Sequence, residues 1–329
     1  MKSVRRLRRY GLTLIEVLVT IAIIGILMGI LLSAIQAARK AAQTAACKTK
    51  MRELGVAVNN YHGQRGRLPT YFGVDNSDDT TYPWVDRKQV YGSWFVHLLP
   101  YIEQDSVYGF AQADCQANNW NEWHYTDDPT SSVWVVDISI VTFNGGHSYV
   151  NGGYWWPPRP AQNDGIWLPE VANATFPILN CPADPTADGG KAYGYWGSTN
   201  YLANFNAWAI PDNGVWSPPS NFNRIIDGLA QTVMFGEGYA NCDGIGRIAL
   251  YSWFYHNFGI DWDQQPDQLM FQINPAPADC DSWRTQSGHY GGMNVCMFDA
   301  SVRTIHQMSQ ATWSAALLPR DGQVPGSDW

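Results

Sequence analysis

Residues 11–16 read Gly11-Leu12-Thr13-Leu14-Ile15-Glu16, and they open an almost unbroken apolar run that extends to Leu32. The reading of this stretch decides the architecture, because a carboxylate stands near the start of a segment of membrane length. At the centre of a spanning helix an acidic side chain costs about 2.5–3.5 kcal/mol on insertion scales. Toward the end of the span the cost is smaller, yet no cation in the same run balances Glu16. A charge kept there points to a partner outside its own helix, most simply a cation supplied by another molecule.

Outward on the N-terminal side stand Lys2, Arg5, Arg6, Arg8 and Arg9, with no acid among them. Cations ahead of an apolar run place that end in the cytoplasm by the positive-inside rule. Leu12 to Leu32 is 21 residues, and at about 1.5 Å each a helix of that length spans about 30 Å, the thickness of a bilayer core. An ordinary secretory signal is cut after its apolar region at small residues. Thr44-Ala45-Ala46-Cys47 has the small residues of a lipoprotein cleavage box, but Arg39 and Lys40 separate it from the run. The apolar helix is therefore expected to stay on the mature chain.

The 329 residues carry a net charge of −8, and without residues 1–11 the chain keeps 16 basic residues against 29 acidic, a charge of −13. Nucleic-acid binding needs clustered Lys and Arg, so that class is excluded. On the C-terminal side of the run the helical pattern continues. Residues 33–42 are mostly good helix formers, and Cys47, Met51, Leu54, Val58 and Tyr61 then recur at spacings of 4, 3, 4 and 3. That is one apolar stripe of a helix packed on something. Gly63 and Gly66 offer a C-cap, and Pro69 prevents resumption. The spacing predicts one helix over 12–62, its first half transmembrane, its second half on a globular body of 63–329. Gly25 and Gly29 form a G-x-x-x-G, the pattern of close helix packing.

From about residue 68 the texture changes to Gly, Pro, Asn, Asp, Trp and Tyr with short β-like runs. Ser93–Gln104 reads as a helix interrupted at Pro100; Val133–Phe143, Met293–Phe298 and Ser301–Ile305 read as strands, and 152–160 as a loop. The fold class is α+β, a long N-terminal helix packed on a body with an antiparallel sheet and many loops.

The Gly11/Leu12/Glu16 register resembles the prepilin family, precursors of type IV pilins and type II secretion pseudopilins. The resemblance implies a leader of residues 1–11, a prepilin-peptidase cut between Gly11 and Leu12, N-methylation of Leu12, and Glu16 neutralising a neighbouring subunit's amine. It also implies a lollipop architecture and, as partners, identical or related pilin subunits, the inner membrane and the assembly machinery. The precursor would sit in the inner membrane with its leader cytoplasmic, and the mature body would be periplasmic or extracellular. Family members commonly carry Pro where this chain has Ser33, which leaves any kink to Gly29 and Ser33. The body is similar to a planctomycete-type family of pilin-like proteins of unassigned role, whose hallmark is His, nine residues, then Asp-Gly. Here His289 is followed after nine residues by Asp299, but Ala300 replaces the glycine. Asn60-Tyr61-His62, Leu99–Gln104, Cys181-Pro182-Ala183-Asp184, Thr199-Asn200-Tyr201 and Asp227-Gly228 also match. His289 is expected to hydrogen-bond the hairpin around Asp299 and fix its register.

Six cysteines in an exported body fit an oxidising compartment, and sequence alone leaves fifteen full pairings open. The family-like contexts of Cys47 and Cys181 imply a bridge between those two. No zinc-finger spacing occurs and no metal site is assigned. The carboxylates of Asp75/Asp78/Asp79, Asp184/Asp188 and Asp261/Asp263 are hard oxygen ligands of the kind calcium takes, though none is in an EF-hand pattern. Aromatic runs such as Tyr154-Trp155-Trp156 admit a glycan-stacking surface as well as core packing. No G-x-S-x-G, H-E-x-x-H or phosphate loop is present, and a non-enzymatic role is expected. The reading is a filament subunit of type IV pilus or type II pseudopilus kind. Its alternative is a membrane-anchored adhesin or glycan-binding protein that does not polymerise.

Overall fold

Leu14–Arg65 forms one continuous helix, α1. The computed structural model describes residues 14–69, 72–74, 90–117, 169–208, 211–212, 215–216, 221–250, 257–258 and 270–329. The helix passes through Gly29 and Ser33 without interruption. The Ser33 hydroxyl donates to the Ile30 carbonyl at 2.8 Å, which satisfies a short polar side chain inside the helix. Gly66 ends it: its φ of 72° is the left-handed cap conformation, and its N–H donates to the His62 carbonyl at 2.8 Å.

The chain divides into two compact units, one ending at Ala45 and the other comprising Ala46–Trp329. In the first, the large apolar side chains from Leu14 to Ile35 are exposed. Among the described residues, α1 is the one helix long and apolar enough to cross a membrane. In the second, α1 buries Cys47, Met51, Leu54, Gly55, Ala57, Val58 and Tyr61, the stripe expected from its 4-3-4-3 spacing. Each large side chain so buried contributes about 1.5–3 kcal/mol.

The stripe belongs to a core shared with the main sheet. That sheet is built from β1 (Tyr201–Asn204), β2 (Val233–Glu237), β3 (Asn257–Phe258), β4 (Met293–Met297) and β5 (Val302–Ile305), in the order β3-β1-β2-β4-β5. The three pairings from β1 to β5 are antiparallel, but β3 lies parallel to β1. This edge departs from the purely antiparallel expectation. A parallel neighbour cannot be joined by a tight hairpin, and residues 205–256, with β2 among them, separate β1 from β3 in sequence. Both β2 and β4 are buried along their whole length, so both faces are covered and their sequences run apolar instead of alternating. Glu237 and Asn294 break that pattern.

Around the sheet lie α2 (Trp94–Leu98), α3 (Asp105–Ala117) and α4 (Gln310–Leu317). Pro100 falls in the tighter 3₁₀ turn Leu99–Ile102 that follows α2, where a ring without an N–H ends the α-helix. Trp94, Trp208 and Trp313 are fully buried, and the Trp94 ring sits 5.0 Å from Trp208 and 5.7 Å from Phe235. These aromatics pack the core. The expected strand at 133–143, the loop at 152–160 and Tyr154-Trp155-Trp156 lie outside the described residues.

Candidate functional site

Glu16 is exposed in the first turn of α1, where the helix dipole favours a negative charge. Gly25 and Gly29 are four residues apart and so share a helix face. A Cβ at either would meet nothing within 4 Å, so this face offers bare backbone to a neighbour. Gly11 and Leu12 lie outside the described residues.

The second unit contains a buried polar centre. Glu237, at the end of β2, is 2% exposed. Its Oε1 accepts from Asn294 Nδ2 at 2.8 Å and lies 3.1 Å from His289 Nε2; its Oε2 accepts from the Asn294 amide at 3.0 Å and the Ser287 hydroxyl at 2.9 Å. His289 Nε2 also lies 3.5 Å from Cys181 Sγ. Cys181 is bridged to Cys47 of α1, with Cα atoms 5.3 Å apart. The bridge closes a loop of 134 residues, which on the chain-entropy account stabilises by about 5 kcal/mol.

A second carboxylate stands one layer away. Asp184 accepts from Asn200 Nδ2 at 2.7 Å, the Ala240 amide at 2.8 Å, and the Thr186 amide and hydroxyl at 2.8 and 2.7 Å. Asn200 in turn accepts the Cys181 amide at 2.8 Å through Oδ1. Burial, with Asp184 nearby, pushes the Tyr239 hydroxyl up to about 12. The dispersed family-like pieces, Cys181–Asp184, Thr199–Tyr201 and His289, thus converge on one place. Gly288 permits the approach: a Cβ there would overlap the Ala183 carbonyl oxygen.

The His289–Asp299 element is not one site. His289 precedes β4 and Asp299 follows it. His289 bonds Glu237 and not the hairpin turn, which corrects the expected role; the register device is instead Asn294, held by Glu237 and by the Thr304 hydroxyl at 2.9 Å. At the turn, the Ala300 amide donates to the Met297 carbonyl and the Met297 amide to the Ser301 carbonyl, both at 2.9 Å, while Ala300 takes φ 63°. This is the three-residue hairpin loop with its left-handed bulge position filled by alanine. Asp299 Oδ1 accepts the Ser301 amide at 2.8 Å.

Among the other cysteines, Cys242 pairs with Cys280, while Cys296 is a buried thiol whose pKa burial raises well above the usual value. The Cys115 side chain lies outside the described residues. Of the acidic clusters considered for calcium, Asp75/Asp78/Asp79 and Asp261/Asp263 lie outside them too. In the Asp184/Asp188 pair, the Asp184 oxygens are already engaged in the bonds above, while Asp188 is exposed. Sequence reading missed Glu237, Asn294 and Ser287. The available signal was a polar residue within an otherwise apolar strand, Glu237 in Val233–Glu237 and Asn294 in Met293–Met297.

Residues 36–311 match a family described as "Protein of unknown function (DUF1559)". The chain belongs to that family. Ahead of this DUF1559 region, residues 6–32 match the prokaryotic N-terminal methylation motif. The motif and the long apolar helix mark a pilin-like precursor of prepilin type, with a membrane-anchoring N-terminal segment. No curated protein and no solved structure matches the chain.

Proposed function

We propose that this DUF1559 chain is a structural subunit of a type IV pilus-like or type II secretion pseudopilus-like filament. The observation that carries the reading is the methylation motif on an apolar, outward-facing helix with Glu16 in its first turn. A prepilin peptidase cuts between Gly11 and Leu12, and the new amine at Leu12 is methylated. Apolar helices of many copies then bundle, with the Gly25/Gly29 face allowing close approach. Glu16 of one copy meets the Leu12 amine of another. An ammonium left unpaired in such a low-dielectric core costs several kcal/mol, so the pair selects the axial register. The body decorates the outside, and the chain itself performs no chemistry.

The test is Glu16→Ala in the native host, with processed subunit in the membrane measured by intact mass and filament yield measured after shearing. The expected result is a chain beginning at Leu12, made in normal amount but not assembled. Normal filament yield from this variant overturns the pairing. An unsubstituted chain that is processed yet never found in filaments overturns the subunit reading in favour of a membrane-anchored adhesin.

A further inference from the structure

Four potential metal ligands meet inside the second unit: Cys47 Sγ, Cys181 Sγ, a Glu237 carboxylate oxygen and a His289 ring nitrogen. All four residues are buried, and their ligand atoms lie within 4.8 Å of one another. We propose that in the dithiol form, before the Cys47–Cys181 bridge closes, this cluster binds one zinc ion. The segment of α1 that packs on the body is then stapled at Cys47 first by a metal and later by a disulfide.

Zinc bonds of about 2.3 Å to sulfur and about 2.0–2.1 Å to nitrogen and oxygen place adjacent tetrahedral ligand atoms about 3.3–3.8 Å apart. Cys181 Sγ to His289 Nε2 is 3.5 Å and His289 Nε2 to Glu237 Oε1 is 3.1 Å, so small side-chain rotations open the site. The cysteine Cα atoms are 5.3 Å apart, near enough for two separate thiolates to share one ion. Two thiolates, an imidazole and a carboxylate suit zinc and not calcium or magnesium, which take hard oxygen ligands. Four protein ligands and no open position describe a structural centre. The outer shell is already in place: Asn294 Nδ2 bonds Glu237 Oε1, and the Asn294 amide and Ser287 hydroxyl hold Oε2.

The chemistry balances without a redox partner at the binding step. The two thiols release two protons to solvent, and the resulting cluster carries one net negative charge facing the Asn294 and Ser287 donors. Bridge closure is a separate step. The two thiolates pass two electrons to a disulfide of the thiol-exchange class, whose S–S bond breaks and which takes two protons from solvent to become a dithiol; the Cys47–Cys181 S–S bond forms, and the ion leaves because two of its four ligands are gone.

The experiment uses the full chain in detergent, fully reduced with a phosphine, freed of metal under anaerobic conditions and titrated with cobalt(II), then zinc. The reduced chain is expected to take one cobalt, with thiolate-to-metal charge-transfer absorption and intense tetrahedral ligand-field bands that zinc abolishes; the bridged chain shows neither. Asn294→Ala lowers cobalt affinity about 10–100-fold, Cys181→Ser and His289→Ala lower it further, and Cys242→Ser leaves it unchanged. Because those variants are open to misfolding, alkylation of the unsubstituted reduced chain is measured alongside. Zinc is expected to protect Cys47 and Cys181 and to leave Cys242 and Cys280 reactive. Bands that persist in both Cys181→Ser and His289→Ala, equal binding by the bridged chain, or equal alkylation of Cys47 and Cys181 with and without zinc would each overturn the proposal.

Discussion

Glu237→Gln tests whether the buried centre holds the fold by charge or only by shape. The carboxylate receives donors on both oxygens: Asn294 Nδ2 and His289 at Oε1, the Asn294 amide and Ser287 at Oε2. A glutamine keeps the volume but has only one acceptor oxygen, so two donors must face its NH₂. With the NH₂ at the Oε2 position, Ser287 can turn its hydroxyl to the Gly292 carbonyl, 2.9 Å away, but the Asn294 amide is stranded. With it at the Oε1 position, Asn294 can turn its amide over, so that Oδ1 accepts from the glutamine NH₂ and Nδ2 donates to the Thr304 hydroxyl oxygen in place of the present bond. The first arrangement leaves a buried donor unsatisfied; the second keeps the partners but turns every bond to a carboxylate into a weaker bond between neutral groups. The cheaper arrangement sets the expected loss at about 1–3 kcal/mol, a measurable part of the stability of a typical domain. Urea denaturation of the bridged full chain in detergent, followed by tryptophan fluorescence, measures it. The control is Glu170→Gln, an exposed carboxylate whose loss should change stability by no more than about 0.5 kcal/mol. A Glu237→Gln loss below about 1 kcal/mol would refute the reasoning.

Four further outcomes are expected. A Cβ at Gly55 would lie 2.7 Å from Cys296 Sγ and 3.2 Å from the Ala300 backbone, so Gly55→Ala should cost about 1–3 kcal/mol by overpacking. Gly63→Ala, with nothing within 4 Å, should instead gain up to about 1 kcal/mol in the same denaturation assay. Ala300→Gly should raise the unfolding free energy by up to about 1 kcal/mol, since φ 63° is strained for alanine; a lowered value would show that packing of the methyl group matters more. His62 stacks on Phe222 at 3.8 Å and its Nε2 accepts the Phe222 amide at 3.2 Å, and burial lowers its pKa below 6.5. The unfolded chain therefore binds a proton that the folded chain resists, so this contribution is full above about pH 6.5 and is lost as pH falls below it. Denaturation midpoints of the parent and His62→Gln across that range should differ in slope, and equal slopes would remove His62 from the pH response.

What the sequence determined by itself was local and periodic. The apolar run with Glu16, the 4-3-4-3 stripe from Cys47 to Tyr61, the Gly66 cap and the break at Pro100 each depend on neighbours within a turn or two. Helix geometry maps such spacing directly onto a face, so α1 could be read without knowing what covered it. The buried centre could not be read in that way. Its members, residues 47, 181, 237, 287, 289 and 294, come from α1, the strands β2 and β4, the short strand Gln286–Ser287 and two loop positions. No period links them, because their contacts are set by which strands pair. The choice among cysteine pairings, the parallel edge strand β3, and His289 turning to Glu237 and not to its own hairpin were likewise decided by tertiary structure. The same holds for Gly55, an ordinary helical glycine in sequence whose missing side chain lets the β4–β5 hairpin reach the helix. A burial pattern predicts that something packs there, but only the packed partner determines which atoms need the space or the hydrogen bond.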